Sequence, residues 1–204
     1  MTEIAESLYP YEGQEEIAKV ESSSKQWTSS VQANVVSLAL RERDRSDNKT
    51  VNRDLRKGLV KHTEHYAYSH VIPLAENPRD EERLLRIAGL VSTYPVAQGE
   101  QSFGSWLYGK KSKSVEDRLS RIVSLSFEQA VSEFSRILKM VGNEGSFNWY
   151  RLADTLFFWG NGITDMSLKS RQKTLREYYR AEGIDAKLTN KNDEKSSEKG
   201  VEDE

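Results

Sequence analysis

Cysteine is absent from this 204-residue chain, proline occurs four times and histidine three times. Without cysteine there is neither a disulfide framework nor a thiolate zinc site, and a reducing compartment, the cytoplasm, is the expected location. No apolar run is long enough to cross a bilayer as a helix. Glu3 and Glu6 stand where a signal peptide needs positive charge. The catalytic signatures are missing as well: no nucleophile elbow, no Walker loop, no His-Glu metal motif and no dinucleotide fingerprint. Ser102–Gly109 holds two glycines without the Lys-Ser/Thr ending of a phosphate loop. His62 and His65 share a helix face, but His70 falls about 140° away from His65. No metal, no cofactor and no enzymatic activity are expected.

Hydrophobic residues make up 36% of the chain and charged residues 30%, with a mean hydropathy of −0.73. That composition and length suit one domain with a wet surface. The formal charge of −2 hides a segregation. Residues 1–21 carry six acids and one lysine, a net of −5, and residues 182–204 carry eight acids and four lysines, a net of −4. Residues 22–181 hold 25 basic and 18 acidic side chains, a net of +7. Affinity for nucleic acid follows the local field, so the basic middle matters more than the whole-chain sum. The ends, 1–21 and 182–204, lack hydrophobic periodicity and read as a flexible acidic segment and a disordered charged tail.

Between them the apolar spacing is helical and no strand alternation stands out. Ser146 to Gly160 is the most apolar and aromatic run. Leu152, Leu156 and Trp159 mark one face, and Trp149, Ala153 and Phe157 widen it until it is nearly circumferential. This stretch is expected to be the hub, ended by Gly160–Gly162. Trp27, Val31, Val35 and Leu38 predict a helix from about Lys25 to Arg41, followed by a mobile polar loop from Arg43 to Lys49. Gly58 reads as the C′ residue of a short basic helix. Asn77-Pro78 opens another helix, with Leu84, Leu85, Ala88 and Val91 buried. Ser114 reads as a cap. Ser126 with Gln129 forms a capping box for Phe127 to Met140. The last helix opens at Thr164 or Asp165, with Leu168, Leu175, Tyr178 and Tyr179 inward. The expected fold is all-α, a compact bundle of about six to nine helices over 22–181.

Basic residues recur at helical spacing on these elements: Arg53, Arg56 and Lys57; Arg79, Arg83 and Arg86; Arg118 and Arg121; Arg136 and Lys139; Lys169, Lys173 and Arg176, with Arg171 and Arg180 adding to the last helix. Several of these clusters on one side of a bundle would form a positive track that binds phosphates without reading bases. Asp154, the one acid in the apolar hub, is expected to pair with Arg151 or Arg118.

The order Asn52-Arg-Asp-Leu-Arg-Lys-Gly58, Glu76-Asn-Pro-Arg79, Leu84-Leu-Arg86 and Ser102-Phe-Gly-Ser-Trp-Leu107 resembles the CasB family, the small subunit of the type I-E CRISPR Cascade surveillance complex. Val115-Glu-Asp-Arg-Leu119, Phe134-Ser-Arg-Ile-Leu138, Asn148-Trp149, Leu156-Phe-Phe-Trp-Gly160 and Leu175-Arg-Glu-Tyr-Tyr179 continue the likeness, over roughly residues 25–181. The resemblance implies an all-α, non-catalytic subunit. Its implied partners are the large subunit, the backbone subunits, a second copy of itself, and crRNA with target DNA, without sequence preference. The implied role is to stabilise the R-loop by holding the target and displaced strands in antiviral defence. Arg56 and Lys57 match the family's paired basic residues, Arg79 the arginine of its Asn-Pro-Arg turn, and Arg118 and Arg136 its later basic positions. Arg53, Arg121 and Lys139 join them because they share those faces. The alternative is a helical protein–protein scaffold with no nucleic-acid contact. Steep weakening with salt separates the two.

Overall fold

The computed structural model describes residues 30–45, 47 and 49–198, with side chains through Ala186. The acidic segment 1–21, and Trp27 with the expected start of the first helix, lie outside the described residues. Among the described residues nine α-helices follow one another: α1 Val31–Asp44, α2 Thr50–Lys57, α3 Tyr68–Val71, α4 Glu81–Thr93, α5 Phe103–Tyr108, α6 Lys113–Ile122, α7 Phe127–Val141, α8 Trp149–Phe157 and α9 Asp165–Glu198. Three 3-10 turns, Glu64–Ala67, Ile72–Leu74 and Pro78–Asp80, fill the connections around α3 and α4. The remaining ladder is two residues long: β1 Ala97–Gln98 pairs parallel with β2 Ser146–Phe147, Ala97 opposite Ser146. The fold is therefore the expected all-α bundle. No helix among the described residues is long and apolar enough to cross a membrane.

Several helix starts follow directly from side-chain chemistry. Asn77 Oδ1 accepts from the Arg79 amide at 3.0 Å, and Pro78 sits at the first position of the turn that leads into α4. Ser126 and Gln129 form the expected capping box of α7. Thr164 Oγ1 accepts from the Ser167 amide at 3.3 Å and caps α9. Ser114 does not cap: α6 begins at Lys113 with Ser112 before it. Gly58 is not left-handed either, since its φ is −61°. Glycine is needed there for a close approach, because an added Cβ would lie 2.8 Å from the Leu85 carbonyl oxygen. α8 stops at Phe157, a turn before Gly160.

The central helix is α4, not the aromatic run of α8. Every residue from Leu84 to Ser92 is buried, nine in succession. Arg86, Gly89 and Ser92 make this helix read as amphipathic, yet each is a packing device. Arg86 has no exposure to solvent. Its Nη1 donates to the Gly58 carbonyl at 2.7 Å and faces Glu64 at 2.7 Å, its Nε donates to Glu128 at 3.2 Å, and Nη2 lies 3.7 Å from Glu82. Burial opposes its charge, but hydrogen bonds and attraction from Glu64 and Glu128 outweigh it and hold the guanidinium above its usual pKa. Gly89 lets the Gly58–Leu59 backbone cross α4 directly, where a Cβ would collide with it.

Around α4 the apolar residues of α1, α5, α7 and α8 close one core. α1 turns Val35, Val36 and Ala39 inward together with Gln32, while Val31 and Leu38 are only half-buried. Phe103, Phe147 and Trp149 stack edge to tilted, with centroids 4.8 and 4.4 Å apart. The buried indoles of Trp149 and Trp159 donate to the carbonyls of Val96 and Leu125 at 2.9 and 3.0 Å. α9 packs by a polar stripe instead: Ser167, Arg171, Thr174 and Tyr178 are buried, whereas Leu168 and Tyr179 are exposed. Gly104 of α5 admits this stripe, since a Cβ there would strike the Thr174 carbonyl. α9 also runs on to Glu198, through most of the segment read as a disordered tail from 182. That segment has no apolar stripe to announce a helix, but it has no proline and many glutamate and lysine residues, which helices accept readily.

Two substitutions test this centre. Gly89→Ala is expected to destabilise the fold by about 1–3 kcal/mol through overpacking. Arg86→Ala, which opens a cavity in the core and leaves the Gly58 carbonyl without its donor, is expected to cost about 2–5 kcal/mol. Urea denaturation measures both; an unchanged midpoint for either refutes the role given to α4.

Candidate nucleic-acid interface

Leu119 and Ile122 bury one side of α6 and leave Arg118 and Arg121, three apart, on the other. Across from them α7 presents Gln129, Ser132, Glu133 and Arg136. With Leu125 these residues line an open groove of about 520 Å³. Glu133 is its buried anchor, 8% exposed. Arg118 donates to Glu133 Oε1 in a short contact, and Arg136 donates to Oε2 at 3.1 Å. Burial alone would raise the Glu133 pKa; the hydrogen bond and charge of Arg118, then those of Arg136, more than offset it and leave the carboxyl below the usual value of 4.5. Three arginines thus line a groove with one internal carboxylate, which pairs with two of them; Arg121 has no ion pair of its own among the described residues.

A second groove, about 320 Å³, lies between the end of α1 and α2 and is lined by Arg43, Arg45, Lys49, Asn52, Arg53 and Arg56. Arg43, Arg45 and Lys49 are absent from the expected interface because Arg43 to Lys49 reads as a loop. The signal is present as four basic residues from Arg43 to Arg53, without a helical period to connect them. α1 instead continues to Asp44, so Arg43 turns inward and its Nη1 donates to the Tyr94 and Val96 carbonyls, each at 3.0 Å. Arg56 Nε donates to the Ser92 carbonyl at 2.9 Å. Arg53 lies 3.7 Å from Asp54. Tyr94 connects the two grooves: its carbonyl takes Arg43, while its hydroxyl is 2.6 Å from Ser135, the neighbour of Arg136.

The other expected residues lie outside both grooves. Lys57 sits 3.4 Å from the Tyr66 ring centroid and 3.7 Å from Asp54. Arg79 is exposed on the turn before α4, and Lys139 is exposed on α7. Two members of the wider basic clusters are structural. Arg86 is the buried centre described above, and Arg171 donates to the Trp159 and Gly160 carbonyls at 3.2 and 2.9 Å. Asp154 pairs with Lys173 at 3.6 Å and accepts from Gln32 at 3.4 Å, not with Arg151 or Arg118, because α9 and α1 flank its face of α8. Among the described residues no three metal-ligating side chains come together.

Glu133 makes the groove acid-sensitive. A carboxyl with a folded pKa below its unfolded value contributes stability above the unfolded pKa and loses it as pH falls through the folded one. Thermal melts between neutral and strongly acid pH are expected to fall less steeply for Glu133→Gln than for the wild type. Parallel curves would contradict the linkage.

Comparison with known proteins places this geometry in a family. The family model described as CRISPR-associated protein Cse2 matches residues 52–179. The crystal structure of CasB from Thermus thermophilus is similar with a TM-score of 0.59 and 19% identity, covering 72% of this chain and 97% of that one. A second structure from Thermus thermophilus, a CRISPR-associated protein of the Cse2 family, gives 0.59 and 18%, with coverages of 72% and 97%. CasB from M. ruber gives 0.55 and 19%, with coverages of 78% and 98%. At these identities the structures show a shared fold. No curated protein matches the chain. The family match spans more than half of the sequence and takes in every residue from Arg53 to Lys139 of the expected interface, and by it the chain belongs to the family of CRISPR-associated protein Cse2.

Proposed function

We propose that this non-catalytic small subunit of a type I-E CRISPR Cascade complex holds nucleic-acid backbone in its two arginine grooves and so stabilises the crRNA-guided R-loop. The observation that carries this reading is the groove of Arg118, Arg121 and Arg136, in which cations from two helices converge on a space open to solvent. Guanidinium groups suit phosphate because they present a planar fork of donors. The groove between α1 and α2 is lined only by polar and charged side chains, which fits backbone attraction without base readout. Arg53 and Arg56 extend the contact; Lys57, Arg79 and Lys139 add charge near it. The crRNA and target or displaced DNA are then the ligands. The large subunit, the backbone subunits and a second copy of this chain are the protein partners.

A second surface favours a protein contact. Val123, Leu175 and Tyr179 line an apolar groove between α6 and α9, beside Arg176 and Arg180. This surface suits docking on neighbouring subunits, so scaffold and strand holder are compatible roles on different faces.

Arg56 and Arg121 are the informative residues, because neither leaves a buried carboxylate behind when removed. Arg56→Glu with Arg121→Glu is expected to weaken single-strand binding. It should also reduce the slope of log affinity against log salt by about one per lost phosphate contact. The double variant should still enter the complex with the large and backbone subunits while its R-loops dissociate faster. Unchanged affinity and unchanged salt slope would remove the grooves from the interface.

A further inference from the structure

The last helix carries an apolar stripe that the core leaves uncovered. Leu168, Leu175 and Tyr179 recur at i, i+7 and i+11, which puts them on one face of α9. A different face, that of Ser167, Arg171, Thr174 and Tyr178, is the buried one. Leu168 and Tyr179 are exposed and Leu175 is half-buried. With Val123 of α6, Leu175 and Tyr179 floor an open groove of about 490 Å³, and Arg176 and Arg180 flank it. Both arginines are exposed, and neither has a carboxylate partner among the described residues; Arg176 Nη2 donates to Gln172 at 2.7 Å. Lys169, Lys173, Arg176 and Arg180 follow one another at i, i+4, i+7 and i+11, a basic line along the edge of the apolar stripe. An occupant that fits this groove has an apolar centre with carboxylates on either side.

The chain holds such a segment. Leu8-Tyr-Pro-Tyr11 stands between Glu6 and Glu12, inside residues 1–21 with their net charge of −5. The chain also delivers it to the right place. α1 begins at Val31, and Gln32 Nε2 donates to Asp154 Oδ1 at 3.4 Å. The other oxygen of Asp154 lies 3.6 Å from Lys173 Nζ, so the start of α1 is beside the basic line of α9. Seventeen residues separate Glu12 from Ser30, enough to span up to about 55 Å. We propose that the groove between α6 and α9 takes the acidic segment of the same chain, with Leu8, Tyr9 and Tyr11 against Leu175 and Tyr179 and with Glu6 and Glu12 beside Arg176 and Arg180. Exposed ion pairs are individually weak, but a tether raises the effective concentration of the segment at the groove. A neighbouring subunit that docks on this groove has to displace the segment, which makes it an internal competitor for that contact. The proposal is independent of the nucleic-acid reading, since it uses neither arginine groove.

The absence of native cysteine makes the test direct. Nitroxide labels are placed on the full chain at Gly13→Cys and Asp117→Cys, the latter on α6 one turn before Ser120 of the groove lining, and electron–electron resonance reads the distance between them. A narrow, short distance is expected. It should be lost in Leu8→Ser with Tyr9→Ser and Tyr11→Ser, and lost in Arg176→Glu with Arg180→Glu. Adding Glu6→Arg and Glu12→Arg to the second variant should restore it, which a merely structural effect of the arginine changes would not allow. A broad distribution in the otherwise wild-type chain, or a narrow one that both sets of substitutions leave in place, overturns the proposal. So does the same short distance between singly labelled chains mixed together, which would assign the groove to a second copy.

Discussion

A guanidinium shut away from water organises this bundle. Arg86 sits in the middle of the central helix α4 and reaches the end of α2, the Glu64–Ala67 turn and the start of α7. Taking such a charge out of water costs several kcal/mol unless partners compensate. Three carboxylates and a carbonyl do so, and in doing so they fix where four elements meet. Gly89 then brings the Gly58–Leu59 backbone against α4 with no side chain between. The orientation of α2, and with it the side chains of Asn52, Arg53 and Arg56, is consequently set by the core beneath them.

The same residue type serves two ends. Arg43, Arg86 and Arg171 turn inward and donate to carbonyl groups that no helix satisfies, such as those of Tyr94, Gly58 and Trp159. A guanidinium can do this because it carries five donors in a rigid plane. Their charge is thereby spent on architecture. The basic excess of the middle of the chain consequently overstates the field available to a ligand. Three surface arginines converge in the groove between α6 and α7, and there Glu133 already takes one donor from each of two of them.

How much of this is legible in the sequence depends on whether a feature is local. The capping box of Ser126 and Gln129 and the Asn77-Pro78 start involve residues three or fewer apart, and both are found where the sequence places them. The pairing of Arg118 with Arg121 on one face is local as well. Which helix faces which is not. Arg136 meets that pair and Lys139 does not, although both lie on α7 and share a face by spacing. Lys57 leaves its neighbours because Tyr66, from another element, attracts it. The hub falls on α4 rather than α8 for the same reason. Aromatic density marks α8, whereas the burial of Arg86 and Ser92 depends on partners distant in sequence that periodicity does not register.

Dividing the positive surface between grooves has a consequence for binding strength. On the proposed role each groove would neutralise only a few phosphates, and affinity from counterion release scales with that number. On that role an isolated subunit would bind a strand weakly. Tyr94 links the linings of the two grooves by bonding Arg43 through its carbonyl and Ser135 through its hydroxyl. Assembly multiplies the effect when copies and partner subunits present further grooves to the same strand. Modest attraction at each site would suit the proposed role better than one tight pocket, because it would let strands be captured progressively as guide pairing extends.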